Sequence, residues 1–166
     1  MYYKLSDFLS DWEYEKGATL KLLGVFNDES LKQKVTPEGR SLGRLAWHIT
    51  TSIGEMMSRT GLDVKTPEDN TDAPASAKEI NDTYNSVSAS LEKEIKSKWS
   101  DDTLNIEDDM YGEKWKRGLT LGILITHQVH HRGQMTVLMR QAGLKVPGIY
   151  GPAQEEWAAM GMPPMK

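Results

Sequence analysis

Apolar residues recur every three or four positions along four stretches of the chain, with polar residues between them. This spacing places the apolar side chains on one face of an α-helix, which turns once in 3.6 residues. In the third stretch Ile80, Tyr84, Val87, Leu91 and Ile95 follow one another in such steps, forming the narrow seam of helices that pack side by side. The pattern predicts four helices, over residues 5–26, 41–60, 76–99 and 118–142.

Residues typical of helix ends mark several of these boundaries. Ser41 is suited to cap the start of the second helix, and Gly61 to follow its last turn. Ser76 and Glu79 have the spacing of a capping box at the start of the third helix. Gly143 is expected to end the fourth helix.

Two further segments differ from the helices. Ser100–Gly118 is longer than a simple connection between helices, and such loops are often functional. This one could hold a short strand or an Ω-type excursion over the end of the bundle. Leu144–Lys166 is rich in proline and glycine, so we expect it to be extended across the helices. We therefore predict an all-α fold: a four-helix bundle with a long loop before the last helix and an extended C-terminal tail, forming a single domain over residues 1–166.

Composition narrows the class of protein. The chain has 166 residues, a net charge of −4 and no cysteine. The missing cysteines exclude disulfides, thiolate metal sites and a cysteine nucleophile. The acidic balance argues against nucleic-acid binding, and there is neither a signal peptide at the N-terminus nor an apolar run long enough to span a membrane. We expect a cytoplasmic protein that binds neither nucleic acid nor membrane.

Three of the four histidines lie in the predicted fourth helix. His127 and His131 are one turn apart and about 40° apart around the helix axis, a placement from which two imidazoles can bind one metal ion. His48 lies at the edge of the apolar face of the second helix, where helix packing can bring it to this pair. We predict that His48, His127 and His131 bind a divalent metal ion. His130 could replace His131, because residues three apart also share a face, although the helical wheel favours His131.

The simpler interpretation of these histidines requires no metal. In it, His127 and His131 form a buried hydrogen-bonded patch with Gln134 and Ser52. The sequence alone leaves both interpretations open.

Other polar side chains have less defined roles. If a metal is bound, Glu55 is a candidate to orient one imidazole through its second nitrogen. We place Tyr111 and Tyr150 near the site and expect Arg132 to be an anchoring cation. The roles of Glu55, His130, Tyr111 and Tyr150 remain open.

The side of the fourth helix away from the histidines is also only weakly polar. A helix with few polar residues on any side is usually buried all round. We expect a homodimer interface there, or cover from the C-terminal tail. The residues concerned are Gly122, Ile125, Val129, Gly133 and Thr136.

Three motifs resemble the DinB superfamily of four-helix-bundle metalloproteins. They are LxxLAWHI around His48, HQVHHRGQM around His131, and the following RQAGLKVPGIYGP. The resemblance implies that His48, His127 and His131 bind a divalent ion, commonly nickel or zinc, and that the protein is a homodimer. Characterised relatives include metal-dependent thiol S-transferases, which join small thiols such as bacillithiol, mycothiol or glutathione to electrophiles.

Three functions therefore remain open at this stage, and the sequence does not decide whether the protein is an enzyme. A thiol S-transferase requires a cavity beside the metal with room for a thiol and a small electrophile. A metal-dependent hydrolase requires a general base, for which Glu55 is the candidate. A non-catalytic, stress-associated metal-binding dimer requires neither. The native metal, the substrate and the thiol cannot be read from the sequence.

Overall fold

Four long helices make up most of the structure, a computed structural model that describes residues 1–163 of the chain. Helix α2 packs against α3 and α4, and α1 packs against the same two helices. These are the contacts expected of a four-helix bundle. The helices are α1 Leu5–Leu23, α2 Leu42–Ser58, α3 Ala77–Lys98 and α4 Arg117–Gln141.

The four helices share one hydrophobic core. Helix α2 contributes buried apolar side chains along its whole length, and these contact apolar side chains from the other three helices. Burial of this surface is the main force that holds the helices together, because each helix alone would be marginal in water. Fully buried members include Phe8, Trp12, Ile49, Ile53, Ile80, Tyr84, Leu91, Leu121, Leu124 and Met135.

The predicted helix ends are largely confirmed. The hydroxyl of Ser41 accepts a hydrogen bond from the amide of Arg44 at 3.1 Å, as an N-cap does. The hydroxyl of Ser76 accepts from the amide of Glu79 at 3.4 Å. Gly61 and Gly143 have positive φ angles of 81° and 76°, which allow the chain to leave α2 and α4 through left-handed turns.

Helix α1 departs from its predicted bounds. It ends at Leu23, before the predicted end at Phe26. Its start has no capping side chain of its own; instead, the carboxylate of Asp101 accepts a hydrogen bond from the amide of Leu5 at 2.8 Å. A partner so distant in sequence cannot be recognised from local pattern.

The loop before α4 contains a β-hairpin. Strands β1 Glu107–Met110 and β2 Glu113–Lys116 pair antiparallel. Tyr111 and Gly112 form the turn, with φ angles of 61° and 88°; positive values at both positions are those of a type I′ turn. The prediction of a helical fold is therefore confirmed in its coarser form: the described part of the chain is mostly helical, with this one small sheet.

The C-terminal tail lies across α1 and α4, but it is not wholly extended. The hydroxyl of Tyr14 donates to the carbonyl of Ile149 at 2.6 Å, and Arg140 forms an ion pair with Glu155 at 2.9 Å. The tail contains a short helix α5, Gln154–Trp157, and a 3₁₀ turn. Residues 164–166 of the predicted tail lie outside the described residues, and the prediction of a single domain stays a prediction. Over residues 1–163, we find no helix with the length and apolar character needed to cross a membrane.

Candidate metal centre

The packing of α2 against α4 brings three histidine side chains together. His48 comes from α2, and His127 and His131 come from α4. One ring nitrogen from each lies within 4.8 Å of those of the other two, and Nε2 of His127 is 3.2 Å from Nε2 of His131. The structure therefore groups the three histidines that the sequence singled out.

This grouping fits the requirements of a divalent ion. Two imidazole nitrogens at tetrahedral positions around one ion lie about 3.3 Å apart, given metal–nitrogen bonds of about 2.0–2.1 Å. The 3.2 Å between the Nε2 atoms of His127 and His131 agrees with that separation. The three side chains are thus placed so that they could hold a metal ion.

Gln134 fixes the orientation of His131. Its carbonyl oxygen lies 2.7 Å from Nδ1 of His131, and its amide nitrogen lies 3.2 Å from Nε2 of His130. Because an amide oxygen can only accept, Nδ1 of His131 must carry the proton. Its Nε2 then has a free lone pair facing the other two histidines, which is the tautomer needed to bind a metal through Nε2.

Asp69 is the acidic neighbour of His48. One of its carboxylate oxygens lies 3.5 Å from Nδ1 of His48 and accepts a hydrogen bond from the hydroxyl of Thr51 at 2.6 Å. Arg44 holds the loop that carries Asp69, donating to the carbonyls of Asp69 and Thr71 at 3.1 and 3.0 Å. The loop between α2 and α3 therefore delivers an acidic partner to the histidine cluster.

The environment keeps these imidazoles neutral at physiological pH. Burial lowers the pKa of His48 and of His131 below the ordinary value. For His127, burial together with the neighbouring imidazoles lowers the pKa to about 4. A neutral imidazole has a lone pair available for a metal ion, whereas a protonated one has none.

The hydrogen-bonded-patch interpretation is satisfied only in part. Gln134 does contact His131, but the buried hydroxyl of Ser52 has no hydrogen-bond partner among the described residues. Nδ1 of His127 is likewise buried without one. A closed network would satisfy its polar groups internally, and this one leaves two atoms unsatisfied.

A cavity of about 420 Å³ opens beside His48 and His127. Glu55 and Tyr111 lie on its wall, so the prediction that Tyr111 is near the site is confirmed. Glu55, however, does not orient an imidazole: its carboxylate accepts from the hydroxyl of Tyr111 at 2.5 Å and from Nε of Arg59 at 2.9 Å. The other polar lining residues are Ser52 and Asp69.

Comparison with known proteins identifies the family, since residues 1–165 match the DinB family. The chain belongs to the DinB family. It is 48% identical to the uncharacterized protein YrdA of Bacillus subtilis strain 168, over 98% of this chain and 97% of that protein. A DinB-like protein from Bacillus cereus ATCC 10987, solved at 2.01 Å, has a TM-score of 0.88 and 45% identity, covering 90% of this chain and 100% of that one.

A second solved structure supports the fold alone. The DinB-like protein YjoA of Bacillus subtilis has a TM-score of 0.66 at 21% identity, covering 89% of this chain and 99% of that one. The DinB resemblance seen in the sequence is thus confirmed over nearly the whole chain.

Tyr150 and Arg132 contact a different part of the bundle, on helix α1. Tyr150 is largely exposed, and its hydroxyl donates to the carboxylate of the buried Glu15 at 2.7 Å and contacts the buried Arg132. The placement of Tyr150 near the histidines was therefore wrong. Arg132 is the predicted anchoring cation, paired with Glu15 and donating to Thr19 at 2.9 Å.

His130 is exposed and lies outside the three-histidine group of this DinB chain. Its ring packs against that of His131, with centroids 4.9 Å apart, and it contacts the amide of Gln134. It therefore supports His131 and does not replace it.

Proposed function

We propose that this DinB-family protein binds one divalent metal ion, nickel or zinc, through His48, His127 and His131. We further propose that it is a metal-dependent thiol S-transferase acting on small electrophiles. One observation carries the proposal: three imidazole nitrogens converge where two cavities reach them. One cavity borders His48 and His127, and the other, of about 460 Å³, borders His131.

Three neutral histidines suit a catalytic site better than a structural one. Structural zinc sites are closed by four protein ligands, whereas catalytic sites combine three protein ligands with an open position. No fourth histidine or carboxylate joins the group within the described part of the chain. When bound, a divalent ion supplies a positive charge that lowers the pKa of a thiol or a water molecule beside it.

The residues of the chain supply orientation and access. Gln134 fixes His131 in the tautomer that presents Nε2 to His127, and the carboxylate of Asp69 lies 3.5 Å from Nδ1 of His48. Because the chain has no cysteine, the nucleophilic sulfur must come from a small thiol. In the proposed reaction this sulfur forms a bond to carbon of the electrophile, the leaving group departs with its electron pair, and the thiol proton is released to water.

The hydrolase alternative is less well supported. It requires a free carboxylate to act as base near the histidines, and Glu55 is the acidic side chain that sequence reasoning favoured. Its carboxylate instead accepts hydrogen bonds from the hydroxyl of Tyr111 and from the guanidinium of Arg59, so it is already engaged by two other side chains. A thiol S-transferase does not require this base.

We extend the proposal to assembly and location. Val129 lies on the side of α4 away from the histidines and is only half-buried, whereas Ile125 on the same side packs against the core of its own chain. The weakly polar surface left around Val129 supports a homodimer. The net charge of −4 supports a protein that does not bind nucleic acid. A cytoplasmic location would give access to low-molecular-weight thiols.

The test is an activity assay with defined metal content. Protein without a histidine tag is stripped with a chelator, reloaded with nickel or zinc, and mixed with a small thiol and a chromogenic aryl halide. We expect thioether formation above the uncatalysed rate only in the reloaded protein. His131→Ala should abolish this activity, while the matched control His130→Ala should retain most of it.

One outcome contradicts the proposal, and a second removes the support that the variants give it. Equal rates with stripped and reloaded protein would exclude a metal-dependent S-transferase. Loss of activity in both variants would show that the assay reports disturbance of α4 and not removal of a ligand.

A further inference from the structure

The cavity that borders His131 differs in character from the one that borders His48 and His127. Its wall is largely apolar, formed by Val35, Leu45, Val137 and Leu138. Val35 and Val137 are 62% and 50% exposed, so apolar surface continues to the cavity mouth. A volume of about 460 Å³ lies within the range of sites that bind small organic molecules.

Arg40 is the one cation on the wall of this cavity. None of the ion pairs in the described part of the chain includes Arg40, so its guanidinium is free. An unpaired guanidinium beside an apolar wall is suited to bind a carboxylate through two parallel hydrogen bonds.

The other cavity has acidic side chains on its wall. Asp69 lies there together with Glu55, which is paired with Arg59, and the carboxylate of Asp69 opposes the entry of an anion. An anionic ligand is therefore directed to the side of His131, where Arg40 attracts it and apolar side chains cover its body.

We propose that the cavity formed by Val35, Arg40, Leu45, Val137 and Leu138 binds a small organic anion with an apolar body, its carboxylate on Arg40 and its other end toward His131. The proposed binding site is inferred from the geometry of this cavity alone. The further statement that the bound anion is the electrophilic substrate rests on the proposed function. The acidic cavity on His48 and His127 is then left for an uncharged or amine-bearing thiol.

The test measures binding directly and needs no catalysis. Phenylacetate and its neutral analogue phenylacetamide are titrated into the protein, both stripped of metal and loaded with zinc, while the methyl resonances of Val35 and Val137 are followed by NMR. We expect phenylacetate to bind about tenfold more tightly than the amide, since a charge-assisted hydrogen bond contributes roughly this much at an exposed position. The stripped protein excludes direct binding of the carboxylate to zinc.

Variants assign the preference to one side chain. Arg40→Gln should reduce the preference for phenylacetate to within about twofold. Lys34→Gln is the matched control, because Lys34 is an exposed cation on the same connection but donates to the carbonyl of Pro37 and does not line the cavity. Val137→Asp should weaken phenylacetate binding, since it places a like charge at the mouth.

The outcomes separate this inference from the proposed function. Equal binding of acid and amide, or an unchanged preference in Arg40→Gln, overturns the anion site even if thiol transfer is observed. Binding of neither probe, together with broadened Val137 resonances in a dimer, would show that a second copy of the chain covers the cavity, which also overturns it. Anion binding without any thiol transfer would uphold the site and contradict the S-transferase.

Discussion

Gln134 follows His131 by about one turn of α4, and its side-chain oxygen lies 2.7 Å from Nδ1 of His131. Gln134 is exposed, so this contact contributes little to the core. Its effect is to leave the lone pair of His131 on Nε2, facing His127.

Replacement of Gln134 should therefore weaken metal binding without unfolding the protein. We expect Gln134→Leu to lower nickel or zinc affinity roughly 10- to 100-fold, as is usual when the partner of a ligating histidine is lost. Gln134→Glu keeps an acceptor for Nδ1 and should retain near-native affinity. Competition titration with a chromophoric chelator measures both, and equal losses in the two variants would contradict the orienting role.

Asp69 offers a second test on the opposite helix. Asp69→Ala removes the acceptor for Nδ1 of His48 and should lower metal affinity about tenfold. The loop should keep its position, because Arg44 holds the backbone carbonyls of Asp69 and Thr71. Asp72→Ala is the matched control, an exposed acid on the same loop. If both variants lose the same metal affinity, the loss comes from removing a negative charge from the loop and not from the contact between Asp69 and His48.

Tyr111 should ionise at unusually high pH. Burial and the carboxylate of Glu55 raise the pKa of Tyr111 from its ordinary value of 10.0 to about 12. Since the folded state favours the neutral phenol, the contribution of Tyr111 to stability is complete below pH 10 and is lost as the pH rises to about 12. NMR titration of the ring measures the pKa, which Glu55→Gln should lower. An unchanged pKa in that variant would show that Glu55 is not a cause.

Two glycines in helices should respond oppositely to alanine. A Cβ on Gly54 would lie 1.9 Å from a methyl carbon of Thr66, in the loop that carries Asp69, whereas a Cβ on Gly17 meets nothing within 4 Å. We expect Gly54→Ala to destabilise the protein by about 1–3 kcal/mol through overpacking. Gly17→Ala should stabilise it by roughly 0.5–1 kcal/mol through helix propensity. Urea unfolding measures both, and two changes of the same sign would contradict the packing argument.

Local signals made much of this architecture predictable. Ser41, Ser76, Gly61 and Gly143 act through hydrogen bonds or φ angles within a few residues of themselves, so the sequence displays them directly. The spacing of His127 and His131 is likewise a property of one helix.

Contacts between distant segments were not predictable in this way. Asp69 lies in a polar loop that has no periodic pattern, and it reaches His48 only because Arg44 holds that loop. Gln128 was missed for a similar reason: it is buried and donates to the carbonyl of Ile49 at 2.8 Å, while accepting from the hydroxyl of Tyr84 at 3.3 Å. A polar residue with such partners is indistinguishable in sequence from an exposed one.

The length of the loop before α4 allowed for a short strand there, but the position of the hairpin and the partners of Glu55 were not predictable. The strands EDDM and EKWK show no apolar alternation, and a Tyr-Gly pair is a weak turn signal because tyrosine seldom adopts positive φ. The position of Glu55 on the helix is compatible with a contact to an imidazole, but the hairpin brings Tyr111 to it instead.

The measurement that tests the account most directly is the metal content and affinity of untagged protein, for the wild type, His131→Ala and His130→Ala. The account predicts about one nickel or zinc ion per chain in the wild type and in His130→Ala, and loss of tight binding in His131→Ala. Chelator should lower the thermal stability of the first two proteins but not of the third. A wild type that binds no ion even when nickel and zinc are supplied would contradict the three-histidine metal centre.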